Sequence, residues 1–279
     1  MVIFLVTRAS NMRPMVLLIL LLCCVFRFST TAEVCGQFDV NGKSWNVAIY
    51  REENNGDLKS VCLGSIIGPN VILTAARCFC EHLSKNPLDK QFYVLAGPES
   101  RNTVLREIPA NIQKVLKSNI FVHENYEGLL GFYEHDIALV KLKNKLSYDA
   151  NVNPVCVDWG NNNPNIQENS VGKQVVWANN ALEILDAVHS DYEDCSEECY
   201  KLKWQDFLTN DKICTRSNGV VFEENNCGAG LLIKENGSWH IKGVLSSQDN
   251  VAHKINLYTK VNRYLNWITK THALISRKN

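Results

Sequence analysis

Cys227 stands in Asn225-Asn226-Cys227-Gly228-Ala229-Gly230, a setting in which a thiolate could attack a carbonyl if a neighbouring cation lowered its pKa. Arg77 is such a cation, in an unusual place. It sits within VILTAARCFC (71–80), three apolar β-formers followed by small residues, a pattern of close packing at a strand end. A permanently charged side chain there needs a partner or an exit to water. Asp136, opening DIALVKL (136–142), is a carboxylate at the head of another apolar β-rich run. Cys78-Phe-Cys80 with His82 has the residue types of a metal site, while His123 and His135 are the histidines to weigh for proton transfer.

These side chains need a scaffold, and the pattern around them is one of strands. Short β-rich runs recur between turn residues: WNVAIY (45–50), SVCLGSIIG (60–68), NVILTAA (70–76), QFYVLAG (91–97), DIALVKL (136–142), KQVVWA (173–178), HIKGVLS (240–246) and NLYTKV (256–261). That spacing predicts an all-β chain of barrels or a sandwich. Only 262–271 predicts a helix, with Tyr264, Leu265, Ile268 and Trp267 toward one side. GNNNPN (160–165) predicts a linker between two halves, within a junction near 158–168.

The 279 residues carry 29 basic and 29 acidic side chains, so net charge gives no argument for nucleic acid or an anionic membrane as partner. MVLLILLLCCV (15–25) lies behind Arg13 and ahead of Ala32, a small residue suited to cleavage, and reads as a secretory signal over 1–32. Its apolar core of about a dozen residues is shorter than the roughly 20 needed to span a bilayer. The mature chain, 33–279, then holds nine cysteines: Cys35, Cys62, Cys78, Cys80, Cys156, Cys195, Cys199, Cys214 and Cys227. An odd number leaves at least one thiol free or bonded outside the chain.

The run from Cys62 to Cys78, CLGSIIGPNVILTAARC, resembles the first barrel of trypsin-like serine proteases, where LTAAHC carries the catalytic histidine. HDIALVKL (135–142), VNPVCV (152–157), KGVLSS (242–247) and NLYTKVNRYLNWI (256–268) are similar to further landmarks of that family, in the same order and over essentially the whole mature chain. The resemblance implies two six-stranded antiparallel barrels, a cleft between them and a C-terminal helix. It also puts Arg77 in the seat of the general-base histidine and Asp136 in that of the triad aspartate, so that an Arg77–Asp136 ion pair is what the resemblance implies. Arginine carries only donors, never the lone pair that a general base needs. Cys227 takes the serine's place, thirteen residues after Cys214 and nineteen before Ser246. A competing alignment makes Cys227 a structural cysteine and deletes the nucleophile, and neither alignment has a catalytic serine. Strand alternation aims His135 away from Cys227, and His123, in VHENY, matches a surface histidine of the family.

Other positions depart from the family as well. The region after Cys35 lacks an IVGG-like start, and the aspartate that would pair with its amino group is Asn226. Asn225 stands at the oxyanion-hole glycine, Val221 where a basic-specific enzyme has aspartate, and Gln248 and Asn256 at glycines lining the specificity pocket. By resemblance the bridges are Cys35–Cys156, Cys62–Cys78 and Cys199–Cys214, leaving Cys80, Cys195 and Cys227 for an extra Cys80–Cys195 bond or an intermolecular one. With Cys78 committed to a bridge, no metal is expected, and no cofactor either. Asn236-Gly-Ser238 is a glycosylation sequon on a turn. The resemblance thus implies a secreted, non-catalytic protease homologue. Its partners would be proteins (a protease, zymogen or other component of an extracellular cascade, immune cascades included). Alternatives are a Cys227-dependent hydrolase and a thiol cross-linking role.

Overall fold

The computed structural model describes residues 35–37, 43–97, 104–106, 109, 111–160, 166–167, 169–178, 181–216, 225–248 and 255–277. The expected signal (1–32), most of the GNNNPN linker and Val221 lie outside the described residues. The first half holds β1 (Asn46–Glu52), β2 (Leu58–Gly68), β3 (Val71–Thr74), β4 (Phe92–Ala96), β5 (Val104–Leu105), β6 (Gln113–Val115), β7 (Ile120–Val122) and β8 (Ala138–Lys141). They form an eight-stranded sheet in the order β6-β4-β1-β2-β3-β8-β7, with β5 on β2. The second half holds β9 (Val171–Ala178), β10 (Ala181–Ser190), β11 (Lys212–Arg216), β12 (Gly230–Glu235), β13 (Ser238–Gln248) and β14 (Ile255–Lys260). These close into a six-stranded barrel, β10-β11-β14-β13-β12-β9.

The all-β expectation therefore holds, with one difference. The second barrel closes, whereas the first sheet stays open between β6 and β7, which follow each other in the chain through a 3-10 turn at Lys117–Asn119. Three residues each, these edge strands present too short a ladder to zip the sheet shut.

Alternation along β1 ties the halves together. Val47 and Ile49 enter the core of the first sheet with Ile66, Ile72 and Leu139, while Ala48 and Tyr50 pack on the other side with Trp177, Leu231 and Tyr258 of the second barrel. One strand thus contributes to two cores.

Two α-helices complete the described residues. The first, α1 (Tyr192–Lys201), was not expected; Asp191 caps it by accepting from the Asp194 N–H at 2.7 Å. The second, α2 (Leu265–Arg277), follows a 3-10 turn at Asn262–Tyr264 and buries Ile268, Thr271 and Ile275, extending six residues past the predicted end.

Candidate active site

Arg77, Asp136 and Cys227 converge from three elements. Arg77 lies in a 3-10 turn, Ala76–Cys78, held at the end of β3 by the Cys62–Cys78 disulfide. Asp136 precedes β8 and is fully buried. Cys227 lies in a turn clamped on both sides: its carbonyl accepts from Leu63 N–H of β2 at 2.9 Å, and Gly228 N–H donates to Leu245 of β13 at 2.8 Å. Gly228 has φ +88, and a Cβ there would stand 2.1 Å from the Leu63 carbonyl oxygen, so only glycine allows this approach.

The expected Arg77–Asp136 ion pair takes a different form. Asp136 accepts from the Arg77 backbone N–H at 2.9 Å and from Ser246 Oγ at 2.8 Å. The guanidinium goes elsewhere. Its Nη1 donates to the Ser246 carbonyl, lies 3.8 Å from Cys227 Sγ and 3.5 Å from Ser247 Oγ, and its Cζ sits 3.7 Å above the Tyr133 ring centroid. Arg77 thus satisfies Asp136 through its main chain and reaches over Cys227 with its side chain.

A β-bulge makes this possible. Between β13 and β14, Leu245 pairs with Tyr258 and Ser247 with Leu257, so Ser246 falls out of the ladder. Its carbonyl is left for Arg77 and for Cys227 Sγ at 3.5 Å, and its hydroxyl for Asp136. The other unforeseen residue, Tyr133, belongs to a loop where Phe132, Tyr133 and His135 have φ of 50°, 57° and 59°. Left-handed backbone at aromatic residues is costly and must be held by its surroundings. Lys212 Nζ donates to the Tyr133 carbonyl at 2.7 Å, and the His135 N–H donates to Asp211 Oδ2 at 3.0 Å. Asp211 and Lys212 form a fully buried ion pair at 3.1 Å, and Tyr264 and Thr209 also donate to Asp211.

Electrostatics set the protonation states. Burial pushes the Cys227 thiol above its ordinary range, with Arg77 pulling the other way without prevailing, so the sulfur is a thiol at neutral pH. For Arg77, burial acts to lower the pKa but Cys227 and Asp136 outweigh it, and the guanidinium stays charged. His135, as expected, is not aimed at Cys227: its Nδ1 shares a 2.8 Å hydrogen bond with Tyr264 Oη. His123 departs from the surface expectation. It is buried and stacked on His135, ring centroids 5.0 Å apart, with Tyr264 and Trp267 against its other sides.

Asn226 is fully buried and holds both main-chain groups of Trp177, accepting from its N–H at 2.7 Å and donating to its carbonyl at 3.0 Å. A neutral amide in this position offers no carboxylate to a terminal ammonium. Asn225, at φ 76, lines with Arg77, Cys227 and Gln248 a cleft of about 800 Å³. Asn256 is fully buried on β14 and is not among the residues lining that cleft.

The profile of the family described as Trypsin matches residues 34–268. The chain belongs to the trypsin family. Among relatives, this trypsin-family chain is 26% identical to Chymotrypsin-C of Bos taurus over 274 residues, 88% of this chain and 91% of the relative. It is likewise 26% identical to Urokinase-type plasminogen activator of Gallus gallus, covering 90% of this chain but 60% of that longer protein. It is 27% identical to Venom peptide isomerase heavy chain of Agelenopsis aperta over 241 residues, 81% and 93% of the two chains.

Two expected bridges, Cys35–Cys156 and Cys62–Cys78, are present. The third is a correction: Cys214 bonds Cys195, not Cys199, and Cys199 is a buried free thiol with Cys80. α1 puts residues four apart on one face, so Cys195 and Cys199 both pack in one cluster with Cys214. With Cys195 committed, the expected Cys80–Cys195 bond does not form. Asn236 is exposed at φ 49 in the Asn236-Gly237 turn joining β12 to β13, a position open to glycosylation. The His82 Nδ1 shares a hydrogen bond with Tyr133 Oη at 2.8 Å.

Proposed function

We propose that this trypsin-family protein is secreted and works by binding rather than by hydrolysis. It would be a catalytically silent homologue serving as cofactor, decoy or regulator in an extracellular proteolytic cascade, immune cascades included. The observation that carries this reading is Arg77, whose guanidinium covers Cys227 and has no lone pair with which to accept its proton. Three neighbours support it: the Cys227 thiol is held protonated by burial, His135 is engaged by Tyr264, and Asn226 replaces the acid that would anchor a new amino terminus. Three disulfides agree with an oxidising compartment, and among the described residues no helix is long and apolar enough to cross a membrane.

The test is turnover of a diverse peptide library by the purified mature protein beside Cys227→Ala made in the same host. Equal background in the two supports a binding protein. Turnover that disappears with Cys227 overturns this proposal and makes the thiol a nucleophile.

A further inference from the structure

The cleft over Arg77 has a charge bias that the chain as a whole lacks. In a protein with equal numbers of basic and acidic residues, Arg51, Lys59 and Arg77 line it together with His82, and among the described residues no aspartate or glutamate does. The acidic residues gather elsewhere, as on α1 with Glu193, Asp194, Glu197 and Glu198. Of the three cations, Arg51 is shared with Glu53 at 2.8 Å, whereas Lys59 is exposed on β2 and Arg77 occupies the floor. One wall is aromatic: Tyr133 stacks on Phe207, centroids 5.7 Å apart, and Trp204 adjoins Phe207. That wall continues outward through Phe132, 6.0 Å from Phe207, to exposed Leu130.

We propose that this cleft receives an extended acidic peptide segment of a partner protein, with carboxylates facing Arg77 and Lys59 and apolar side chains on the aromatic wall. The inference rests on the binding role proposed above and names the chemistry of its partner. Charge complementarity selects the occupant: a basic segment would bring like charge against three cations, while a neutral one would leave their field unused. The volume, about 800 Å³, suits a few residues of extended chain and not a folded surface.

Calorimetric titration of the mature protein tests this with three capped hexapeptides that alternate Leu with Glu, Gln or Lys. The Glu peptide should bind about tenfold tighter than the Gln peptide, the ratio that about 1.4 kcal/mol corresponds to, with the Lys peptide weakest. Added salt should erode the difference. Lys59→Gln, an exposed change that spares the fold, should weaken the Glu peptide alone, and Arg77→Gln should do so more strongly. Equal affinity for the Glu and Gln peptides, or binding by none, overturns the proposal, as does a sulfated oligosaccharide that binds where the Glu peptide does not. Chromatography of the same mixtures separates the two readings. Cleavage that disappears in Cys227→Ala overturns the silent role while leaving the Glu preference measurable on that variant. Equal binding without cleavage removes the acidic partner and leaves the silent role standing.

Discussion

At Arg77 a single side chain replaces a proton carrier by a permanent cation, and its surroundings have adapted to it. The guanidinium donates to Ser246, lies over Tyr133 and supplies positive charge near the fully buried Asp136. Arg77→Met should lower stability by about 2 kcal/mol in urea unfolding, the scale of a charge-assisted hydrogen bond plus a cation–π contact at a half-buried site. Cys227 gives a second check. Because burial raises its thiol pKa, the rate of its carboxymethylation, followed by peptide mass spectrometry, should climb at a higher pH than that of free cysteine, about 8.5. A midpoint below that value would mean that Arg77 dominates. Asn256 is a residue without reward: both amide atoms are buried and make no hydrogen bond. Asn256→Leu, which keeps the same branched heavy-atom skeleton, should raise stability by about 1 kcal/mol, read as a higher melting temperature.

At the scale of elements, the strands that lead into Arg77 and out of Asp136 were legible because apolar β-formers mark β3 and β8 on both faces. Asp136 and Cys227 were placed by their motifs, and the structure brings them together with Arg77. What stayed hidden has a physical cause in each case. Ser246 matters through a bulge, and a one-residue slip in register leaves no mark on composition. Tyr133 reaches Arg77 through left-handed backbone that aromatic residues rarely adopt. α1 was missed because its buried face consists of little besides Cys195 and Cys199, although Asp191 ahead of Glu193 and Asp194 is a usable start signal. The Cys199–Cys214 expectation came from the family resemblance, whereas α1 turns Cys195 as well as Cys199 toward Cys214 and the bond forms with Cys195. Accordingly Cys195→Ala should cost about 3 kcal/mol in thermal or urea unfolding, as expected for opening a loop of this length, and Cys199→Ala distinctly less. The reverse ranking would restore the Cys199–Cys214 pairing.

Across the whole molecule, buried ionisable groups set a pH window. His123 has its pKa lowered first by burial and then by His135, against Glu124 and Asp211, which pull it up. The unfolded chain therefore binds its proton more readily, so the stability it contributes is present above the unfolded value, about 6.5, and is lost as pH falls toward the lower folded value. Melting temperature should decline on acidification through that range, and His123→Gln should flatten the decline if it folds. Asp211 acts further down: burial alone would raise its pKa, but Lys212, Thr209 and Tyr264 bring it below the usual carboxylate range. Its contribution is kept above the unfolded carboxylate pKa and given up only as pH falls through the folded one.

The Cys35–Cys156 bond joins positions 121 residues apart, and beside it the Gly36 N–H donates to Pro154 and the Gly36 carbonyl accepts from Trp239. Any single proteolytic nick between these cysteines would yield two polypeptides that remain one covalent molecule. A processed form would migrate with the intact one until reductant is added. Electrophoresis without reductant is therefore blind to processing here, and the fragment ahead of a cut cannot diffuse away to signal that cutting has occurred.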